Sequence, residues 1–313
     1  MDLSEFSTEP ARILIHDPRD GRAVAAMDRR RLAECNFLDL PGHAELCAEY
    51  DRFRAAVAEH VTLTPLSALL NDDPLFAAEA DSNPNLMFMR DSSITLPWAP
   101  DLYIPARFGL ASRAREADVA GRALDRIGLT RAFNFTDDEY VEGGDVLPAM
   151  DQGKRILLIG FGVRTTKAAA LRLALELIPE HVDMIIGLSH DPDLLHLDTG
   201  FTVLPNRVML AAAGMFHAGF LIDENRSIRS IDPIAHAESM GLTIVRCDKA
   251  DAIAHERCNL LPLGRGRYLA FDMPMQLEAE LEQKAGITIE CVPGREIAKA
   301  TGGVHCLTRP VYR

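Results

Sequence analysis

Four short strings in this 313-residue chain crowd nucleophilic, acidic and basic side chains against apolar runs: N-L-M-F-M-R-D at 85–91, E-G-G-D at 142–145, H-L-D-T at 196–199 and G-G-V-H-C-L-T at 302–308. Cys306 follows the pair Gly302-Gly303, which lets the backbone approach a ligand closely. A buried cysteine ordinarily packs as a small hydrophobe. In this setting Cys306 reads instead as a nucleophile, needing a cationic neighbour, either a protonated histidine or a cationic substrate, to favour its thiolate. His196 and Asp198 are spaced i, i+2, which on a strand would turn both side chains to one side, as a general acid/base and a carboxylate anchor. Glu142 and Asp145 flank two glycines, a pattern that also fits a tight turn with solvated acids. Arg90-Asp91 also fits a strand end carrying a surface ion pair.

The combination says more than any single string. A thiol, a histidine and several carboxylates suit covalent attack on a cationic carbon, because carboxylates hold a guanidinium through paired charge-assisted hydrogen bonds. Guanidinium carbon is a poor electrophile. It calls for a strong nucleophile, a dry pocket and an acid for the departing amine. His and Asp are also metal ligands, but H-E-x-x-H, C-x-x-C and a second histidine pair are missing, so the reading assigns no metal.

The elements that would position these strings recur. From about residue 129 the chain reads strand, turn, strand, helix, strand three times, at roughly 60-residue spacing. Strands are expected at 141–150 and 155–160, 197–204 and 208–212, and 259–263 and 268–271. Helices are expected at 165–177, 233–240 and 275–284, and closing strands at 182–187, 242–245 and 287–292. An earlier copy reads as strands at 85–89 and 94–96, a helix at 112–127 and a strand at 131–135. The remaining copy is split: a strand at 13–16, a helix at 44–59 and a strand at 61–63 lie near the start, and a strand at 303–308 supplies the missing piece. Five units suit a closed ring whose first unit is completed by both ends of the sequence, so that equivalent strings converge on one cavity. Segments 65–84 and 213–232 read as long loops.

Composition fits an ordinary globular chain, with 48% apolar and 25% charged residues. The formal net charge of −13 argues against a nucleic-acid or anionic-membrane partner. No run approaches a membrane span, and the first residues lack the pattern of a signal peptide, so the expected compartment is the cytoplasm. There the six cysteines are not a disulfide framework, and most are expected to be buried and inert.

The chain resembles the guanidino-group-modifying enzymes of the pentein fold, most closely the arginine deiminases. The likeness rests on the four strings above, on Arg164-Thr165 within G-F-G-V-R-T, and on the opening R-I-L-I-H-D-P at 12–18. It implies a single catalytic domain over 1–313, an α/β five-bladed propeller of ββαβ units around a central active site. It further implies that Cys306 is the nucleophile and that His196 protonates the leaving amine and then activates water. Asp91 and Asp198 would grip the guanidinium, and Glu142 would support guanidinium and histidine. Asn85 and Arg164, with Arg107 beside them, would hold the amino-acid end of a small cationic guanidino substrate. The implied reaction is L-arginine to L-citrulline and ammonia through an amidino-thiol intermediate. A dimethylarginine-type hydrolase and an arginine dihydrolase are the alternatives, ahead of an amidinotransferase. Thr301 stands where the family usually has an arginine, and 65–84 is too short for the helical insert of its bacterial members, so plain and modified arginine both stay open. The family resemblance implies no cofactor, and a homo-oligomer is compatible with this reading.

Overall fold

The computed structural model describes residues 1–3, 5 and 9–313. Five three-stranded units share one internal order: an antiparallel pair, joined by a short turn in four of them, then a longer connection to a third strand parallel to the second. That pairing follows from connection length, since a tight turn permits only an antiparallel neighbour and a parallel one needs a crossover. The units are Ser93–Leu96, Ala99–Pro105 and Thr130–Arg131; Val146–Asp151, Lys154–Phe161 and Met184–His190; Phe201–Leu204, Val208–Ala212 and Thr243–Cys247; and Leu261–Gly264, Arg267–Phe271 and Thr288–Val292. In the fifth, the late strand Arg309–Val311 lies antiparallel to Arg12–Ile15, and Leu63–Pro65 runs parallel to the latter.

Helices fill the crossovers. His43–Ala58 buries Leu46, Tyr50, Phe53 and Val57, a stripe at helical spacing, in the cluster that also holds Ile13, Phe88, Val304, Leu307 and Cys306. Lys167–Leu177 starts where the Thr166 hydroxyl accepts the Ala169 N–H, an N-cap that stabilises a helix by about 1 kcal/mol. Glu116–Arg126, Pro233–Ser239 and Met275–Ala285 complete the set.

Several expectations shift. Segment 65–84 carries two helices, Leu66–Leu70 and Pro74–Ser82, the second capped by Asp73 with Pro74 at its first position. Segment 213–232 carries a hairpin, Phe216–Ile222 and Ile228–Ile231, which adds to the sheet edge at Met184–His190; with Asp2–Leu3 on the other edge that sheet has six strands. Strands expected through 85–89, 141–145, 197–200, 259–260 and 303–308 are instead turns or single helical turns, and regular pairing begins just after each. The polar strings therefore sit at the mouths of the units, one step ahead of the strands. No helix is long and apolar enough to cross a membrane among the described residues.

Candidate active site

Each string enters the same buried region on an irregular turn. Pro84–Met87 is a 3-10 turn leading to Asp91; Gly143–Asp145 is another, following Glu142. His196 does not lie on a strand. It is the N-cap of the single turn Leu197–Gly200, with its own backbone extended, so that this bend, and not strand alternation, brings His196 and Asp198 to one place. His305 and Cys306 lie in the turns before Arg309–Val311.

There the groups interlock. His196 Nε2 donates to Glu142 Oε2 at 2.8 Å, and His196 Nδ1 is 3.6 Å from Asp91 Oδ1. Asn259 Nδ2 donates to Cys306 Sγ at 3.1 Å, and the thiol faces Asp198 Oδ2 at 3.5 Å. His305 bridges Asp198 Oδ2 at 2.7 Å and Glu5 Oε2 at 3.0 Å, and Glu5 pairs with Arg90 at 2.5 Å. Asp91 Oδ1 and Asp198 Oδ1 are buried and accept no hydrogen bond. A Cβ on Gly144 would lie 2.8 Å from the first, 3.0 Å from the second and 3.0 Å from the His196 ring. Two unsatisfied carboxylate oxygens thus face one small space that only glycine leaves open. A buried acceptor without a donor is costly, so this space demands a ligand rich in N–H groups. Gly303 plays the matching part beneath the thiol, since a Cβ there would meet Asn259 Oδ1 at 2.4 Å.

The electrostatics follow from burial and neighbours. Burial opposes a charged His196, but the Asp91 carboxylate and the Glu142 hydrogen bond outweigh it and raise the imidazole to about 9. Burial would raise Glu142, yet the His196 hydrogen bond and the Arg113 and Arg164 guanidiniums hold it below its ordinary value. Burial pushes the Cys306 thiol up, and the Asp198 and Asp91 charges push further. The resting pair is therefore a thiol and an imidazolium.

Asp91, Glu142, His196, Asp198 and Cys306 are brought together, and Arg164 borders them, its Nη1 3.3 Å from each oxygen of Glu142. Asn85 and Arg107 are not brought in. The Asn85 amide donates to the Cys35 carbonyl at 3.1 Å. Arg107 is turned outward by its bridge to Val141, pairing with the fully exposed Asp137 and lying over Tyr140. Asp145 receives the Leu197 N–H at 2.8 Å and so fixes the His196 turn. Arg90 forms no surface pair: it is fully buried against Glu5, Thr308 and the His305 carbonyl.

Three residues escaped the sequence reading. Asn259 supports the thiol and accepts the His305 and Cys306 N–H groups at 2.8 and 3.3 Å. Its only signal was its position ahead of a strand, like the other strings. Arg113 is buried between Glu116 at 2.7 Å, Asp91 at 3.0 Å and Glu142 at 3.5 Å. It lay inside an expected amphipathic helix, where an arginine reads as surface. Glu256 is buried near Asp198 and Cys306.

Asp91, Glu142 and His196 offer ligand atoms within 4.8 Å of one another, a spacing a metal ion could use. Arg113 and His196 already supply positive charge to both carboxylates, so the trio is neutralised by the chain itself. Of the other cysteines, Cys35, Cys247 and Cys258 are buried, whereas Cys47 is half-buried and Cys291 exposed.

The family model for arginine deiminase matches residues 76–313. An arginine deiminase of Latilactobacillus sakei subsp. sakei (strain 23K) is 26% identical over 263 residues, covering 74% of this chain and 62% of that protein. One from Mycoplasma capricolum subsp. capricolum is 24% identical, covering 75% and 63%. The chain thus spans less than two thirds of the length of these curated relatives. Among solved structures, the N-terminal domain of ArgZ, an arginine dihydrolase from the ornithine-ammonia cycle in cyanobacteria, superposes with a TM-score of 0.73 at 19% identity, covering 97% of this chain and 98% of that one. A dimethylarginine dimethylaminohydrolase adduct gives 0.66 at 18% identity, covering 96% and 99%. These likenesses are of fold.

Proposed function

The chain belongs to the arginine deiminase family, and on that premise we propose that it hydrolyses a guanidino group through Cys306, converting L-arginine to L-citrulline and ammonia. The observation that carries this reading is the pair of unsatisfied oxygens, Asp91 Oδ1 and Asp198 Oδ1, facing one space beside His196 and Cys306. A guanidinium presents coplanar N–H donors to two such carboxylates and places its carbon near the thiol.

The sequence of events follows from the charges. The arriving cation offsets the carboxylates that keep Cys306 protonated, and the thiol proton leaves by way of Asp198 Oδ2. Sγ then bonds to the guanidinium carbon. The His196 imidazolium gives its proton to the terminal nitrogen, which departs as ammonia and takes up the released proton. An S-alkylthiouronium remains on Cys306. Neutral His196 next accepts a proton from water as its oxygen attacks the same carbon. The C–S bond breaks, the urea product leaves, and the second proton of water restores the thiol. Glu142 holds His196 in place and keeps it charged between turnovers.

The arrangement as a single domain over 1–313, a five-bladed ring of ββαβ units about this site, is part of the proposal. It is supported by five units of one strand order and by the late strand Arg309–Val311 completing the first. Each unit contributes one turn to the cluster: Asp91, Glu142, His196 with Asp198, Asn259, and His305 with Cys306.

The test is product identification with purified protein on arginine and a panel of guanidines. One citrulline and one ammonia per arginine are expected. Ornithine with two ammonia would assign a dihydrolase, and dimethylamine from dimethylarginine the other alternative. No turnover of any guanidine would overturn the reading. Activity unchanged by a chelator is also expected, against a metal on Asp91, Glu142 and His196.

A further inference from the structure

A cavity of about 410 Å³ adjoins the buried cluster, lined by Asn36, Asp193, Leu194, Thr199, Glu256 and Thr301 among others. Thr199 follows Asp198, and Thr301 opens the glycine turn that carries Cys306. None of the lining side chains is basic. Asp193 reaches out to Lys249 at 2.8 Å and is largely exposed. The Thr301 hydroxyl donates to the Asn36 carbonyl at 2.9 Å, and Asn36 Nδ2 lies 3.4 Å from Thr301 Oγ1, so these two satisfy each other.

Glu256 is different. It is only 4% exposed, and its Oε2 has no hydrogen-bond partner. It stands at the end of the helix Lys249–His255 with a left-handed backbone, φ 54°, which turns it out of the helix and into this chamber. Among the described residues no guanidinium or ammonium pairs with it; the ion pairs of its neighbours are made elsewhere, Arg257 with Asp251 and Lys249 with Asp191 and Asp193. Its carboxyl feels the charges of Asp198, His196 and Asp91, and it acts in turn on Cys306, so it is close to the reacting centre without belonging to the guanidinium cradle. Burial and the Asp198 charge hold it well above the ordinary carboxylate range, which keeps it neutral while the chamber is empty. A buried carboxyl that lacks a partner is a standing cost unless a ligand supplies one.

We propose that this chamber receives a second cationic group of the substrate, the ammonium at the end of a guanidinoalkane remote from the guanidinium, and that Glu256 selects it. The inference rests on the reading that the cluster hydrolyses guanidines. In arginine that ammonium is the α-amino group, one short aliphatic chain from the carbon attacked by Cys306. Its arrival ionises Glu256 and forms a charge-assisted hydrogen bond with it. Guanidines with an ammonium at that end, with or without a neighbouring carboxylate, are then preferred over guanidines that carry a carboxylate alone.

The experiment compares arginine with desaminoarginine, which lacks only the α-amine, and with guanidinobutylamine, which lacks only the carboxylate. Each is assayed with the wild-type protein and with Glu256→Gln. A charge-assisted hydrogen bond predicts a wild-type kcat/KM ratio of arginine to desaminoarginine on the order of 100. Glu256→Gln should shrink that ratio to within about 5-fold by losing mainly the ammonium-bearing substrates. A wild-type ratio near one overturns the proposal without recourse to the variant. A ratio kept in Glu256→Gln, or an equal loss for all three substrates with an unchanged melting curve, overturns the role of Glu256. No turnover of any guanidine by the wild type is a separate result and overturns the hydrolase reading beneath it.

Discussion

Arg113 is the counter-charge on which the buried acids depend, and removing it should be among the more damaging changes to stability outside the hydrophobic core. Its Nε and Nη2 each donate to Glu116 at 2.7 Å, and its Nη1 donates to Asp91 Oδ2 at 3.0 Å and approaches Glu142 at 3.5 Å. Its guanidinium also lies over the Phe108 ring at 4.8 Å. All three carboxylates are nearly or fully buried. Arg113→Met keeps the stem but leaves Glu116 buried with no cation. Breaking a buried pair in this way costs about 3–5 kcal/mol. Taking out Glu116 as well, in Arg113→Met with Glu116→Leu, removes that stranded acid but still leaves buried Asp91 Oδ2 without its Arg113 donor and the Asn83 amide, which donates to Glu116 Oε1 at 3.0 Å, without its acceptor. The double variant should therefore recover about 1–3 kcal/mol relative to Arg113→Met while staying less stable than wild type. Urea unfolding of the wild type and the three variants gives the coupling directly, provided m is constant. Additive effects, or a cost below about 1 kcal/mol for Arg113→Met, would refute the reasoning. The folded double variant should also lose kcat, because Asp91 then lacks the donor that fixes its orientation.

Glu142→Gln should lower the alkaline limb of kcat/KM. The imidazolium donates the proton, so activity falls as pH rises through the His196 value of about 9, and without the carboxylate that limb moves toward the ordinary 6.5. The same group contributes stability that is complete below 6.5 and lost as pH rises through about 9. Arg164→Ala should raise KM for arginine by roughly 10-fold or more with a smaller change in kcat, as expected of a remote binding contact; an unchanged KM removes that role. Glu5→Gln should cost about 3–5 kcal/mol at neutral pH by stranding Arg90. Burial would raise Glu5, but Arg90 and His305 bring it down to about 2, so its contribution is present above 4.5 and lost as pH falls through 2. The gap between wild type and Glu5→Gln in urea unfolding should accordingly close toward the acid end.

Much of this arrangement was legible in the sequence, for a physical reason. The helices His43–Ala58 and Lys167–Leu177 carry periodic apolar faces and the strands Lys154–Phe161 and Arg267–Phe271 are continuous apolar runs bounded by turns, so their existence could be read directly. The polar strings were found because glycine, cysteine and acids are unusual beside such runs. Their conformation was not legible. Leu197 and Val304 continue the apolar pattern of a strand, but turns allow the backbone to present His196, Asp198 and Cys306 together, and tertiary context decides between the two. Arg113, Asn259 and Glu256 were illegible because nothing local marks them. Their roles come from partners 22 or more residues away: Asp91 for Arg113, Cys306 for Asn259, and Asp198 for Glu256.

The central claim is that Cys306 bonds to the guanidinium carbon. The direct measurement is intact-protein mass spectrometry of acid-quenched enzyme during turnover of arginine, followed by peptide mapping. Cys291 is replaced by Ser beforehand, because it is the exposed thiol that would react adventitiously. The account predicts a transient adduct of substrate minus ammonia on the peptide carrying Cys306, absent from Cys306→Ala, which should also be inactive. Steady turnover with no adduct on that peptide, or an active Cys306→Ala, would contradict it.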